Sequence, residues 1–189
     1  MGLDLPIIKI NGVDTMELRD SKTFENLEAA FQGEAMAHLK YQFYKSRLSN
    51  TSKDIENHLE EIVHNEKEHG KIWFKLLHGG DIPNDVENLQ DAIKGELTEH
   101  NKMYPEFAKV AYDEGFKEIG DLFNAVAAIE GQHADEFSEI LINIENEQLF
   151  KDEEEWDWIC LNCGHIHSGK NAPEICPVCQ HPQKYFVRD

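Results

Sequence analysis

The chain has 189 residues, long for one average domain and short for two, so one domain plus a small module is the natural division. Its 37 acidic against 18 basic residues give a net charge of −19 and no surplus of Lys and Arg for phosphates, which argues against nucleic-acid and anionic-membrane partners. No apolar run approaches a membrane span, and residues 1–6 lack the basic and apolar stretches of an export signal, so a cytoplasmic location is expected.

Residues 1–20 form an extension, with a short strand expected at 6–10 and a turn at Asn11-Gly12. From about Thr23 a helical period sets in through Leu27, Phe31, Glu34, His38 and Tyr41, ending in the turn cluster Ser49-Asn50-Thr51-Ser52. The second helix, 53–77, carries Ile55, Leu59, Ile62, Glu66, His69, Trp73 and Leu76, and is stopped by His78-Gly79-Gly80 and Pro83. The third starts between Asp85 and Asn88 and carries Leu89, Ala92, Glu96, Glu99, Met103, Phe107 and Val110. Pro105 predicts a kink there, because it lacks a backbone donor and clashes with the preceding turn. After a break at Asp113-Glu114-Gly115, the fourth helix shows Ile119, Phe123, Val126, Glu130, His133, Phe137, Ile140 and Ile144. Four amphipathic helices of this length predict an all-α bundle.

Carboxylates and imidazoles on apolar stripes are costly unless compensated, and a metal ion is the common compensation for Glu-x-x-His on one helix face. If the helices pair as antiparallel hairpins, the midpoint between Glu34 and Glu66/His69 falls within Ser49-Asn50-Thr51-Ser52. The midpoint between Glu96/Glu99 and Glu130/His133 falls at Glu114-Gly115. Both turns are where the spacing requires them, so each hairpin brings its polar residues to one level. Glu34, Glu66, His69, Glu96, Glu99, Glu130 and His133 then make a dinuclear carboxylate site of the ferritin-like kind, suited to iron or manganese. Gly33, Gly95 and Gly131 beside these ligands read either as close helix approach or as ordinary tolerance. Tyr41 and Tyr104, about two turns from Glu34 and Glu96, read as donors to the carboxylates or as core packing. His38 reads as a satisfied core histidine, and His58, His64, His78 and His100 as solvated.

A ferritin-like topology needs a long crossover between the second and third helices. About ten residues are available there, reaching about 33 Å when fully extended, against about 27 Å of helical overhang. Such a taut hinge favours exchange of hairpins between two chains.

After an acidic linker at 148–155 come Cys160-Leu161-Asn162-Cys163-Gly164 and Cys176-Pro177-Val178-Cys179. Two Cys-x-x-Cys knuckles fit one tetrahedral metal, zinc or mononuclear iron. The last 34 residues are too few to fold on a core alone, so the metal is structural, with Trp158, Tyr185 and Phe186 as a small aromatic core. His165, His167 and His181 are expected to be exposed and not to ligate.

The set Gly33-Glu34, Asn65-Glu66-Lys67-Glu68-His69, Gly95-Glu96-Leu97-Thr98-Glu99, Met103-Tyr104-Pro105-Glu106-Phe107-Ala108, Glu130-Gly131-Gln132-His133 and the Cys-x-x-Cys-Gly … Ala-Pro-Glu-x-Cys-Pro-x-Cys tail resembles the rubrerythrins. The resemblance implies a ferritin-like diiron bundle at 21–147 and a rubredoxin-like iron–tetrathiolate module at 156–189. It also implies that His69 ligates in the reduced state and Glu99 in the oxidised state. The implied activity is a peroxidase that reduces hydrogen peroxide to water. Electrons would come from NAD(P)H through a rubredoxin reductase or rubredoxin and pass along the tetrathiolate iron, in a head-to-tail homodimer. Tyr41 and Tyr104 join Glu99 and His69 as candidate catalytic residues. Two other readings are a ferroxidase or iron-storage protein with a zinc-bound docking module, and a redox or oxygen sensor.

Overall fold

A computed structural model describes residues 17–48 and 52–188; the strand expected at 6–10 lies outside them. The described chain divides after Pro83 into two compact units.

The first unit is a hairpin of α1 (Lys22–Leu48) and α2 (Lys53–Leu77). Ser21 opens α1 by accepting the Phe24 N–H at 3.2 Å, and Ser52 opens α2 by accepting the Asp54 N–H at 3.3 Å. Both hydroxyls satisfy amide donors that the first helical turn leaves without partners. At the end of α2 the chain turns back, the Gly80 N–H reaching the Lys75 carbonyl at 2.7 Å. Gly79 and Gly80 take φ of 80° and 106°, which side chains with a Cβ rarely adopt. The two helices bury Val63, Gly70 and Leu77 of α2 along their seam, while α1 has no fully buried residue.

The second unit begins with α3 (Asp85–Thr98), started by a reciprocal cap in which Asn84 accepts the Glu87 N–H at 3.0 Å. The kink expected at Pro105 is in fact a π-turn over Glu99–Met103, followed by α4 (Tyr104–Asp113). The Tyr104 N–H bonds to the Glu99 carbonyl, five residues back. Proline cannot donate to the carbonyl four residues before it, and a widened turn just upstream accommodates that gap without ending the helix. The extra residue rotates the buried face. Met103, Phe107 and Val110 were expected inward; instead Ala108 and Ala111 are buried, while Phe107 and Val110 are exposed. Gly115, with φ of 87°, closes the turn into α5 (Lys117–Glu145), against which both α3 and α4 pack.

Beyond α5 a three-stranded antiparallel sheet has β1 (Lys151–Cys160) between β2 (Ile166–Asn171) and β3 (Phe186–Arg188). The acidic run is therefore not a linker: Lys151–Glu155 is the first half of β1, bulged between Lys151 and Trp156. Arg188 holds this segment in place. Its guanidinium pairs with Asp152 at 2.9 Å and donates to the Lys151 and Gln148 carbonyls, offsetting part of the local negative charge. Trp158, Cys160, Ala172, Cys176 and Phe186 form the core here, with Phe150 and Tyr185 against it. The aromatic core expected from the sequence is present. No helix among the described residues is long and apolar enough to cross a membrane.

Candidate metal centres

Glu34 on α1 and Glu66 and His69 on α2 offer ligand atoms that all lie within 4.8 Å of one another. The His69 Nδ1 is 3.2 Å from Glu66 and 3.8 Å from Glu34. The second unit repeats the arrangement. Glu96 on α3 meets Glu130 and His133 on α5, with the His133 Nδ1 2.7 Å from Glu130 and 3.7 Å from Glu96. Nitrogen and oxygen donors about 2.1 Å from one ion lie about 3 Å apart when at right angles. Both clusters need only side-chain adjustment to reach that spacing, and their donor set suits iron or manganese. Burial, and then the neighbouring Glu130 carboxylate, push the Glu96 carboxyl above its ordinary range, with His133 opposing them. The charged form of Glu96 thus carries a cost that a bound cation would relieve.

Glu99 does not join either cluster. It starts the π-turn, half-buried, close enough for its charge to act on Glu96 and Tyr104. The Tyr104 phenol is raised above its usual range by burial first and then by Glu99, Glu130 and Glu96, so it holds its proton beside the carboxylates. Tyr41 sits at the equivalent place in the first hairpin, its ring 5.9 Å from that of Tyr44. Among the described residues neither phenol hydrogen-bonds to a carboxylate.

Of the three glycines expected beside ligands, one is a close approach. A Cβ on Gly131 would lie 2.8 Å from the His100 Nδ1, whereas Gly33 and Gly95 meet nothing within 4 Å among the described residues. His100 is consequently not solvated: it bonds to the Ala127 carbonyl at 2.6 Å. His78 is not free either, bonding to the Phe74 carbonyl at 2.7 Å and stacking on its ring at 4.1 Å. His58 and His64 are exposed as expected. His38 is the satisfied histidine that the sequence predicted, bonded to the Val63 carbonyl at 2.9 Å and to Gln42 at 3.1 Å. The signal that could have placed His100 was its position four residues after Glu96, the same interval that separates His38 from Glu34.

Cys160, Cys163, Cys176 and Cys179 converge in the sheet module, their sulfurs within 4.8 Å of one another. Cys160 and Cys179 are 3.7 Å apart, as are Cys163 and Cys176. Four sulfurs at about 2.3 Å from a tetrahedral ion would be about 3.8 Å apart, so the cage already has the size of its metal. Each knuckle is folded by the same bonds. The Cys160 and Cys176 N–H groups reach the His165 and His181 carbonyls at 2.8 Å, and Gly164 and Gln180 turn back with φ of 74° and 61°. His165, His167 and His181 are half-buried rather than exposed and lie outside the sulfur cluster. Cys163 is exposed while Cys160 and Cys176 are buried, so the knuckle has one open side.

The rubrerythrin family model matches residues 25–141, and the model for the rubrerythrin rubredoxin-like domain matches residues 158–187. Rubrerythrin-1 of Clostridium acetobutylicum is 40% identical in an alignment covering 89% of this chain and 95% of that protein. The rubrerythrin of Porphyromonas gingivalis is 37% identical, covering 89% and 90%, and that of Nitratidesulfovibrio vulgaris is 35% identical, covering 89% and 95%. The chain therefore belongs to the rubrerythrin family, with that family's ferritin-like diiron domain followed by a rubredoxin-like knuckle for one iron.

Proposed function

We propose that this oxidoreductase is a cytoplasmic peroxidase reducing hydrogen peroxide to two waters with two electrons and two protons. The observation that supports this most directly is Glu99. It sets one further carboxylate beside the second of two otherwise matching Glu/Glu/His clusters, and it stands on a π-turn, a feature frequent at functional sites. In this reading Glu34, Glu66, His69, Glu96, Glu130 and His133 hold two iron ions, with Glu66 and Glu130 as bridges. His69 serves in the reduced state and Glu99 in the oxidised one. When bound, the ferrous pair supplies the two electrons that cleave the O–O bond. Tyr104 keeps a proton available beside Glu99, and Tyr41 is its counterpart on the other hairpin. Cys160, Cys163, Cys176 and Cys179 hold the iron that receives electrons one at a time from a rubredoxin or an NAD(P)H-linked rubredoxin reductase, at the open side where Cys163 reaches the surface.

The working form in this proposal is a homodimer. Only the seven residues 78–84 separate α2 from α3, reaching about 25 Å when fully extended, and Gly80 and Asp81 fold back onto Lys75, which shortens that reach. A ferritin-like crossover from the end of α2 to the start of α3 has to make good about 28 Å of helical rise. Exchange of hairpins between two chains removes that demand.

Stopped-flow oxidation of the fully reduced protein tests the activity: peroxide is expected to react much faster than dioxygen, and the reverse order rejects the peroxidase. A colourless knuckle as isolated would favour zinc there and the ferroxidase reading. Co-expression of Glu66→Ala with Glu130→Ala chains tests the exchange. Swapped dimers of the mixed chains regain one intact site and part of the activity, whereas unswapped chains regain none.

A further inference from the structure

We infer that His38 and His100 are matched interhelical locks that set the level of the ligands on each hairpin, and that His100, seated over Gly131, also holds Glu99 in position. This rests on the metal reading of the two clusters. Each histidine lies four residues after the lone Glu of its hairpin, Glu34 or Glu96. Each crosses to the neighbouring helix and meets the carbonyl three residues before the Glu of Glu-x-x-His: Val63 at 2.9 Å and Ala127 at 2.6 Å. A carbonyl only accepts, so Nδ1 carries the proton in both rings. In His38 the other nitrogen meets the Gln42 amide at 3.1 Å, which leaves both ring nitrogens engaged and none free for a metal. Val63 and Ala127 are each only 6% exposed, so water does not compete well for these bonds.

A helix rises about 1.5 Å per residue, so a slip of a single residue between paired helices would take Glu34 out of reach of His69. Apolar seams resist such sliding weakly, since one methyl contact replaces another; a directional bond one turn from the ligands resists it strongly. In the second hairpin the device does more. His100 is the second residue of the π-turn and the immediate neighbour of Glu99, which has no direct partner in the carboxylate cluster. The backbone alone aims that carboxylate, and His100 ties this backbone to α5. The ring occupies the space a Cβ would fill at Gly131, 2.8 Å from Nδ1 and 2.9 Å from Cε1. Gly131 is thereby a positioning residue that touches no ligand atom.

The test is an anaerobic Fe(II) titration of the full-length protein with its knuckle iron in place, using His100→Leu, His100→Gln and Gly131→Ala. His100→Leu and Gly131→Ala are expected to weaken Fe(II) binding in the bundle by about 10- to 100-fold. The far-UV helical signal and the visible spectrum of the knuckle should stay unchanged, while the near-UV absorption of the oxidised bundle site shifts. His100→Gln keeps a donor and is expected to recover binding to within about threefold. Wild-type affinity and absorption in both His100→Leu and Gly131→Ala overturn the inference. Should His100→Leu fail to fold, Gly131→Ala decides, because alanine is the better helix former and only the ring is displaced. A wild-type bundle that takes up no Fe(II) overturns the metal reading and this inference with it; normal wild-type uptake with unaffected variants overturns the inference alone.

Discussion

The two helical hairpins are built to one plan and differ by one residue. Both carry a Glu facing a Glu-x-x-His pair, and both carry a histidine bonded across to a backbone carbonyl. Seven residues separate Glu34 from Tyr41 along regular α1, whereas eight separate Glu96 from Tyr104, because the π-turn takes up one more. That added residue brings the second tyrosine back to the equivalent position and leaves Glu99 where the first hairpin has Ala37. A nearly symmetric pair of half-sites thus acquires one asymmetric carboxylate without rearranging any of the others. Symmetry serves to hold two like ions; the single departure from it is where the two half-sites can behave differently.

Removing the departure should have the largest effect. Deleting Asn101 takes the extra residue out and leaves Pro105 inside a regular helix, where its ring clashes with the carbonyl four residues back, and is expected to cost about 3 kcal/mol. An unchanged urea midpoint would show that the π-turn does not serve to accommodate Pro105. Glu99→Ala keeps the π-turn but loses its carboxylate. It is expected to retain two bundle irons and to lower kcat with peroxide by about 100-fold, the scale of losing one preorganised electrostatic group; undiminished turnover would reject the exchange between His69 and Glu99.

Two glycines give a smaller and oppositely signed contrast. A Cβ at Gly70 would meet Glu34 at 3.6 Å, an ordinary contact, so Gly70→Ala is expected to stabilise the first hairpin by up to about 1 kcal/mol. A Cβ at Gly120 would lie 2.5 Å from the Tyr112 ring, so Gly120→Ala is expected to destabilise the second by about 1–3 kcal/mol. Thermal melts moving in the same direction would break the contrast. The smallest effect lies beside that ring. Asp121 is held below the usual carboxylate range by Lys117 first and then by the Tyr112 hydroxyl, which donates to it at 2.8 Å. Its folded pKa is depressed, so its contribution is present above about 3.9, the unfolded value, and is lost as pH falls through the lower folded value. Asp121→Asn should therefore lower stability slightly at pH 7 and flatten its pH dependence in that acid range.

Much of this was legible in the chain. The period of the apolar stripes and the Ser, Asn and Gly punctuation place all four long helices within a few residues. The Glu-x-x-His pairs stand out because charged groups recur where apolar ones are due. The four cysteines are legible for a simpler reason, since two short knuckles leave their sulfurs little choice but to converge. His100 and the acidic run were misread, and Gly131 was left open between two readings, because isolated residues off a stripe carry no periodic signal, and because a charged strand resembles a linker until Arg188, 36 residues on, is seen to bind it.

By itself, then, the sequence determined the helices, the two half-sites, the sulfur cage and the family, all of which depend on local spacing and residue chemistry. Only the tertiary structure decided the phase of α4, the setting of Glu99 and the histidine bonds across each hairpin. A kink or a π-turn can each accommodate the donor that Pro105 lacks, and packing against α5 selects between them.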